Sequence, residues 1–291
     1  MEQDAVKRIL VISGSRADYG LLEMPVKALR EAGFYVDFFK MWGYVLSEAF
    51  DEITRHRLPM NYDLLAVLGD RHEILAAAIA AHLNRIPIAH IAGGDVTKGS
   101  YDDAMRDCIS RLATIHFPTS NDAKRNLFAM GNNLENIHMI GNLALDYIKH
   151  GDWKREHPIA EPYVVVSYQP ETLADDPVAT LRKLLPQLPY DKTRVYMLPN
   201  PDRGSDEVTK LIRDVALPDD KVIESLPRNE WLNLLHHCDE FIGNSSSLLY
   251  EAPFLGIKTR LVGNRQEGRV IPEGDGNSSQ RIVEVLIKWF S

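Results

Sequence analysis

Phe241-Ile-Gly-Asn-Ser-Ser-Ser-Leu-Leu-Tyr-Glu-Ala-Pro253 reads as a strand end, a loop of small residues and a helix start. The apolar run stops at Gly243. Asn244, Ser245, Ser246 and Ser247 then place a capping side chain and a row of hydroxyls where helix amides lack partners. Such a helix N-terminus is an anion site. Glu251 follows Ser245 by six positions, close to two helical turns, and so shares the face that looks back along a bound anion. A phosphate at the cap and a sugar hydroxyl on Glu251 is the chemistry of a nucleotide. An ordinary serine cap beside a solvated glutamate fits the same residues.

Strands and helices alternate on both sides of this stretch. RILVIS (8–13) runs into Gly14-Ser15-Arg16 and a helical LLEMPVKALREAG, and FYVDFF is the next strand. DLLAVLGD (63–70) precedes the helix RHEILAAAIAAHLN, and IPIAHIAGG (86–94) ends in paired glycines. Beyond the charged, proline-containing HGDWKREHPIAEP (150–162), a second alternation begins with YVVVSY. It continues through RVYMLPN, KVIESL, FIGNS, the helix SSLLYEAPFLG and TRLVG to a last helix, QRIVEVLIKWF. The pattern predicts an α/β protein of two doubly wound Rossmann-like domains, 1–150 and 151–291, facing a cleft at their strand ends.

The 291 residues are 45% hydrophobic and 25% charged with a net charge of -8, an ordinary globular composition. That charge argues against nucleic acid or an anionic membrane surface as the main partner. The opening MEQDAVKR has no signal-peptide pattern and no long apolar run follows, so a cytoplasmic location is expected. Cys108 and Cys238 lack paired metal-ligand spacing and read as buried free thiols. There is no HExxH, CxxC pair or GxGxxG, so neither a metal nor a nicotinamide cofactor is expected.

Four groups at strand ends carry candidate chemistry. Arg16 is placed to clamp a phosphate, or else to cap its helix or pair with Asp18. Asp70 and Glu73, a turn apart, are placed to divide acid and base roles, although Asp70 as a plain helix cap fits equally. Gly93-Gly94-Asp95 with Asp102, Asp103 and Arg106 brings carboxylates and a guanidinium to one rim, and those glycines also suit a simple turn. Asn264-Arg265-Gln-Glu-Gly268-Arg269 is either a second anion clamp or a solvated charge run.

In this order the motifs resemble the UDP-N-acetylglucosamine 2-epimerase family, more closely its hydrolysing branch, which makes N-acetylmannosamine for sialic-acid-type sugars. The matching stretches are SGSRADYGLL, VLGDRHEILAAAIAAHLNRIPIAHIAGGDVT, MIGNLALDYI, LPNPDRGSDE, FIGNSSSLLYEAPFLGIKT and NRQEGR, across both expected domains. The resemblance implies a UDP-sugar substrate, a homo-oligomer, typically a dimer, and no redox cofactor. It places UDP on Arg16, Ser245, Ser246 and Glu251, and the reacting sugar on Asp70 and Asp102. Their neighbours extend the expected UDP site to Gly243, Asn244, Ser247 and Arg265, and the expected catalytic set to Glu73 and Asp95. In the family UDP leaves by elimination to a glycal and water then adds, with inversion at carbon 2. Three features depart from the family pattern: Ala92 stands where many members have a glutamate, Gln169 where they have a histidine, and the segment between the strands near Phe39 and Asp63 is short. Transfer of the sugar to an acceptor, or UDP-sugar binding without turnover, are the rival expectations.

Overall fold

The computed structural model describes residues 6–97, 102–154, 156–160, 162–268 and 274–291, in two compact units. The first opens with β1 (Arg8–Ser13), α1 (Arg16–Glu31), β2 (Tyr35–Lys40), α2 (Leu46–Glu52), β3 (Leu64–Leu68) and α3 (His72–Leu83). It continues with β4 (Ile88–Ile91), α4 (Asp103–Leu112), β5 (Ile115–Phe117), α5 (Asn121–Ala129) and α6 (Ala144–His150). Its five strands pair in the parallel order β2-β1-β3-β4-β5. β1 and β3 are continuous apolar runs because both faces of the sheet are covered. Ile9 and Val11 enter one core with Leu22, Val26 and Leu29 of α1, while Leu10 and Ile12 enter the other with the buried alanines of α3.

The second unit contains β6 (Tyr163–Ser167), α7 (Ala179–Leu184), β7 (Thr193–Met197), α8 (Ser205–Val215) and β8 (Lys221–Ile223). α9 (Arg228–His237), β9 (Glu240–Gly243), α10 (Glu251–Phe254) and β10 (Thr259–Leu261) follow. The strand order is β10-β9-β6-β7-β8, again all parallel. In both sheets the winding reverses direction beside the first strand, between β1 and β3 and between β6 and β9. Helices leave in opposite directions there, so each reversal opens a crevice at the carboxyl ends of its two strands, the favoured ligand position in such sheets. The four loops so placed begin at Gly14, Gly69, Tyr168 and Asn244.

Three expectations need correction. The last helix, α11 (Ser278–Phe290), belongs to the first unit and not to a domain running 151–291. Ile282, Val283 and Leu286 complete the core under α1, and the buried Asp146 carboxylate accepts from the main-chain N–H of Ser278 at 3.0 Å and of Ser279 at 2.5 Å, capping the helix. The continuous helix expected after the serines is instead a single 3-10 turn, Ser246–Leu248, and the four-residue α10. Pro253 supplies no N–H to extend it. Finally, Cys238 is buried but Cys108 is exposed. Among the described residues no helix is long and apolar enough to cross a membrane.

Candidate functional site

In the first unit, Arg106 of α4 organises the carboxylates. Its guanidinium, 5% exposed, pairs with Asp70 from the end of β3 and with Asp103, and donates to the main-chain O of Asp95 at 2.7 Å. Burial opposes the Arg106 charge, but Asp70, Asp103 and Asp95 more than offset it and hold the group protonated above its usual range. The Asp95 carboxylate accepts from Thr119 Oγ1 at 3.1 and 3.2 Å, and Asp102 stands at the N-cap position of α4. Asp70, Asp95 and Asp102 are thus gathered by one cation and its helix, with Asp70 and Asp103 partly open to solvent. A carboxylate fixed in this way keeps its orientation while exchanging a proton.

Glu73 is placed differently from the expectation. It is fully buried, and Arg71 donates to it through Nε and Nη2, both at 3.3 Å. A carboxylate closed off from solvent and held by its own neighbour orients Arg71; it does not face a substrate. Arg16, the first residue of α1, is exposed, with its guanidinium 6.0 Å from the Trp42 ring centre. Ala92, where the resemblance expects a glutamate, has a left-handed φ of +60° and no titratable group.

His90 supports the Asp70 loop from below. Its Nε2 lies 2.8 Å from the Gly69 carbonyl, which only accepts, so Nε2 carries the proton and Nδ1 accepts from Ser110 Oγ at 3.0 Å. Burial lowers its pKa to about 4, and burial lowers that of His116 likewise. The unfolded chain binds these two protons near pH 6.5 and the folded chain refuses them until about pH 4, so their contribution is complete above pH 6.5 and is lost as pH falls toward 4. Each histidine contributes about 3 kcal/mol over that interval. Asp18, pushed up to about 6 chiefly by burial, has the opposite sign: its contribution is lost as pH rises from 3.8 to 6. Urea unfolding of wild type and His90→Gln measures the histidine part directly. The stability of wild type relative to His90→Gln should fall by about 2–3 kcal/mol between pH 7 and pH 4.5; a difference independent of pH would contradict the assignment.

In the second unit, Gly243 and Asn244 hold the serine loop in place. Gly243 has φ +144° and pairs in register with Ser167, and a Cβ on it would lie 1.8 Å from the Ser167 carbonyl oxygen. The fully buried Asn244 amide accepts from Gln169 N–H at 2.6 Å and donates to Gln169 O at 2.8 Å. Both residues expected to touch UDP are therefore committed to tying the β9 loop to the β6 loop. Gln169 extends the tie, accepting from Asn200 N–H through Oε1 at 2.9 Å. Arg265 joins in as well, pairing with Asp202 at 3.3 Å and donating to Pro170 O. Arg269 lies outside the described residues.

Ser245 caps the 3-10 turn, its Oγ accepting from Ser247 N–H at 3.3 Å, and Ser245, Ser246 and Ser247 are partly accessible. Glu251 is 2% exposed, paired with Arg228 and accepting from Trp231 Nε1 at 3.3 Å. Sequence reasoning did not single out these two partners. Their signal was present, because residues 228 and 231 lie three apart in RNEWLNLL and share a helix face.

A family model described as UDP-N-acetylglucosamine 2-epimerase matches residues 36–274. The chain is 27% identical over 315 residues to the polysialic acid biosynthesis protein P7 of Escherichia coli, covering 91% of this chain and 81% of that protein. It is 27% identical over 319 residues to the UDP-N,N'-diacetylbacillosamine 2-epimerase (hydrolyzing) of Legionella pneumophila, covering 91% and 83%. In fold it is similar to the S. aureus MnaA-UDP co-structure, with a TM-score of 0.80, 18% identity and coverage of 98% and 97%. A similar likeness, TM-score 0.78 at 17% identity covering 97% and 99%, holds for the Methanocaldococcus jannaschii UDP-GlcNAc 2-epimerase in complex with UDP-GlcNAc and UDP.

Proposed function

The chain belongs to the UDP-N-acetylglucosamine 2-epimerase family, and we propose that it is a hydrolysing member, converting UDP-N-acetylglucosamine or a related UDP-sugar to UDP and the free 2-epimer. The observation that carries this is the Asp70 carboxylate at the β1/β3 crevice, oriented by the buried Arg106 and backed by His90. The hydrolysing relative from Legionella pneumophila supports the choice of branch.

In the elimination step a carboxylate removes the proton at carbon 2, the carbon 1–oxygen bond breaks, and its electron pair leaves on the UDP phosphate. The glycal so formed takes hydroxide at carbon 1 and a proton at carbon 2 from the opposite face. Asp70 acts in proton transfer with Asp102 and Asp95. In the second unit the hydroxyls of Ser245, Ser246 and Ser247 stabilise the departing diphosphate and Glu251, through its partner Arg228, serves the ribose end; in the first unit Arg16 is assigned as a phosphate contact. Gly243, Asn244 and Arg265 serve by shaping the serine loop, and Glu73 by orienting Arg71. The enzyme works in the cytoplasm as a homo-oligomer. Ala92 and Gln169, which provide no proton-exchanging group, favour a second function, transfer of the sugar from a UDP-sugar to an acceptor hydroxyl.

The nucleotide assignment is tested by calorimetry with UDP on Ser245→Ala combined with Glu251→Gln, a pair that leaves Arg228 a hydrogen-bond acceptor. Affinity should fall by about tenfold to a hundredfold for two lost polar contacts. Unchanged affinity would remove the serine loop from the site.

A further inference from the structure

Asp18 has no part in the function above, yet its surroundings are unusual for an acidic residue in the first turn of a helix. It lies in the first turn of α1, its main-chain N–H donating to Ser15 Oγ at 3.1 Å, and the Ser15 hydroxyl returns a hydrogen bond to its carboxyl. That reciprocal cap occupies one side of the carboxyl. Oδ2 is buried with no hydrogen-bond partner. A buried carboxylate oxygen without a donor is strongly disfavoured in its charged form, whereas a proton on it removes the charge and leaves a donor.

The charged neighbours point the same way. Asp70 and Glu73 press on Asp18 with like charge, and Arg71 opposes them. Arg71 approaches closely: a Cβ on Gly14 would lie 3.2 Å from its Cδ, so the β1–α1 turn rests on its side chain. Its guanidinium, however, is already engaged by Glu73, and Arg106 by Asp70 and Asp103. From α1 itself Arg16 faces the Trp42 ring, and from the end of β2 the Lys40 ammonium sits 4.2 Å from the Tyr19 ring centre. Of these three carboxyl groups, Glu73 and Asp70 thus hold the two arginines directly.

We propose that Asp18 is a positioning residue that takes up a proton when a diphosphate-bearing ligand binds, so that the incoming negative charge meets a neutral carboxyl at this corner of the crevice. The inference rests on the nucleotide-sugar function proposed above. In the ligand-free protein burial already raises the Asp18 pKa to about 6, so near neutral pH the carboxyl is mostly ionised, and an anion bound beside it raises that pKa further toward protonation. The proton comes from solvent and returns there when the ligand departs. No bond to the sugar is made or broken by Asp18.

Calorimetric titration with UDP at pH 7.5, repeated in phosphate and Tris buffers of different ionisation enthalpy, counts the protons exchanged on binding. Comparing wild type with Asp18→Asn cancels the titration of UDP's own phosphate. Wild type should take up more protons than Asp18→Asn, by about half a proton or more per UDP bound. The Asn side chain mimics the neutral acid in shape, so UDP affinity stays within a few-fold of wild type. Equal proton counts with intact UDP binding would overturn the Asp18 proposal and leave the nucleotide assignment standing. No UDP binding by the wild type would overturn both. Should Asp18→Asn not fold, Asp18→Ser, which keeps an oxygen for the Ser15 hydroxyl to donate to and lacks the acid, serves in the same comparison.

Discussion

Asp70→Asn lowers kcat by about three orders of magnitude and leaves UDP affinity within about twofold of wild type. The substitution keeps the size and planar shape of the side chain and an oxygen for Arg106 to donate to, so the cluster around α4 survives. What is lost is the charge that accepts a proton. Arg106 retains Asp103 and the Asp95 carbonyl, so it is not left as an unpaired buried cation. A pure loss of turnover distinguishes proton transfer from binding, since a binding contact would move UDP affinity or KM instead. The assay is UDP release from the UDP-sugar, with calorimetry on the same preparation. A kcat within tenfold of wild type would remove Asp70 from the chemistry.

Gly243→Ala produces the largest stability effect, a loss of more than about 4 kcal/mol. Two independent strains add at this position. The backbone has φ +144°, which an L side chain rarely adopts, and the added methyl would lie 1.8 Å from the carbonyl oxygen of Ser167, its register partner on β6. Backbone in the middle of a sheet does not yield as a flexible side chain would, so relief requires parting β6 from β9. That would also break the Asn244–Gln169 amide pair directly past the strand ends. Thermal unfolding followed by circular dichroism should show a fall of about 10 °C or more, or no soluble protein. A transition within about 2 °C of wild type would contradict the strand-crossing geometry.

The sheets were legible because their strands are buried on both faces and so read as unbroken apolar runs, as in RILVIS, DLLAVL and YVVVS. The strand-end loops were legible for the same reason, since they begin where those runs stop. What eluded sequence reasoning were partners distant along the chain. Asn244 looked like a ligand contact until its amide met Gln169, 75 residues earlier. The last helix was assigned by proximity in sequence, whereas Asp146, 132 residues before Ser278, captures its N-terminus. Glu73 and Asp70 lie three residues apart with the same charge, one in the first turn of α3 and one in the loop before it, and only the packing shows that one is sealed and the other open. The serine loop was misread for a local reason: Pro253 and the 3-10 turn cut short a helix whose periodicity otherwise continued.

The central claim, hydrolysis with epimerisation at carbon 2, is tested most directly by proton NMR of the purified protein with UDP-N-acetylglucosamine in deuterated water, without acceptor or added metal. A hydrolysing 2-epimerase accumulates UDP and N-acetylmannosamine carrying deuterium at carbon 2, because the proton removed in elimination is replaced from solvent. Persistence of the UDP-sugar, its nucleotide signals broadened by the protein, would contradict that chemistry while retaining the nucleotide site, and would direct the search to an acceptor.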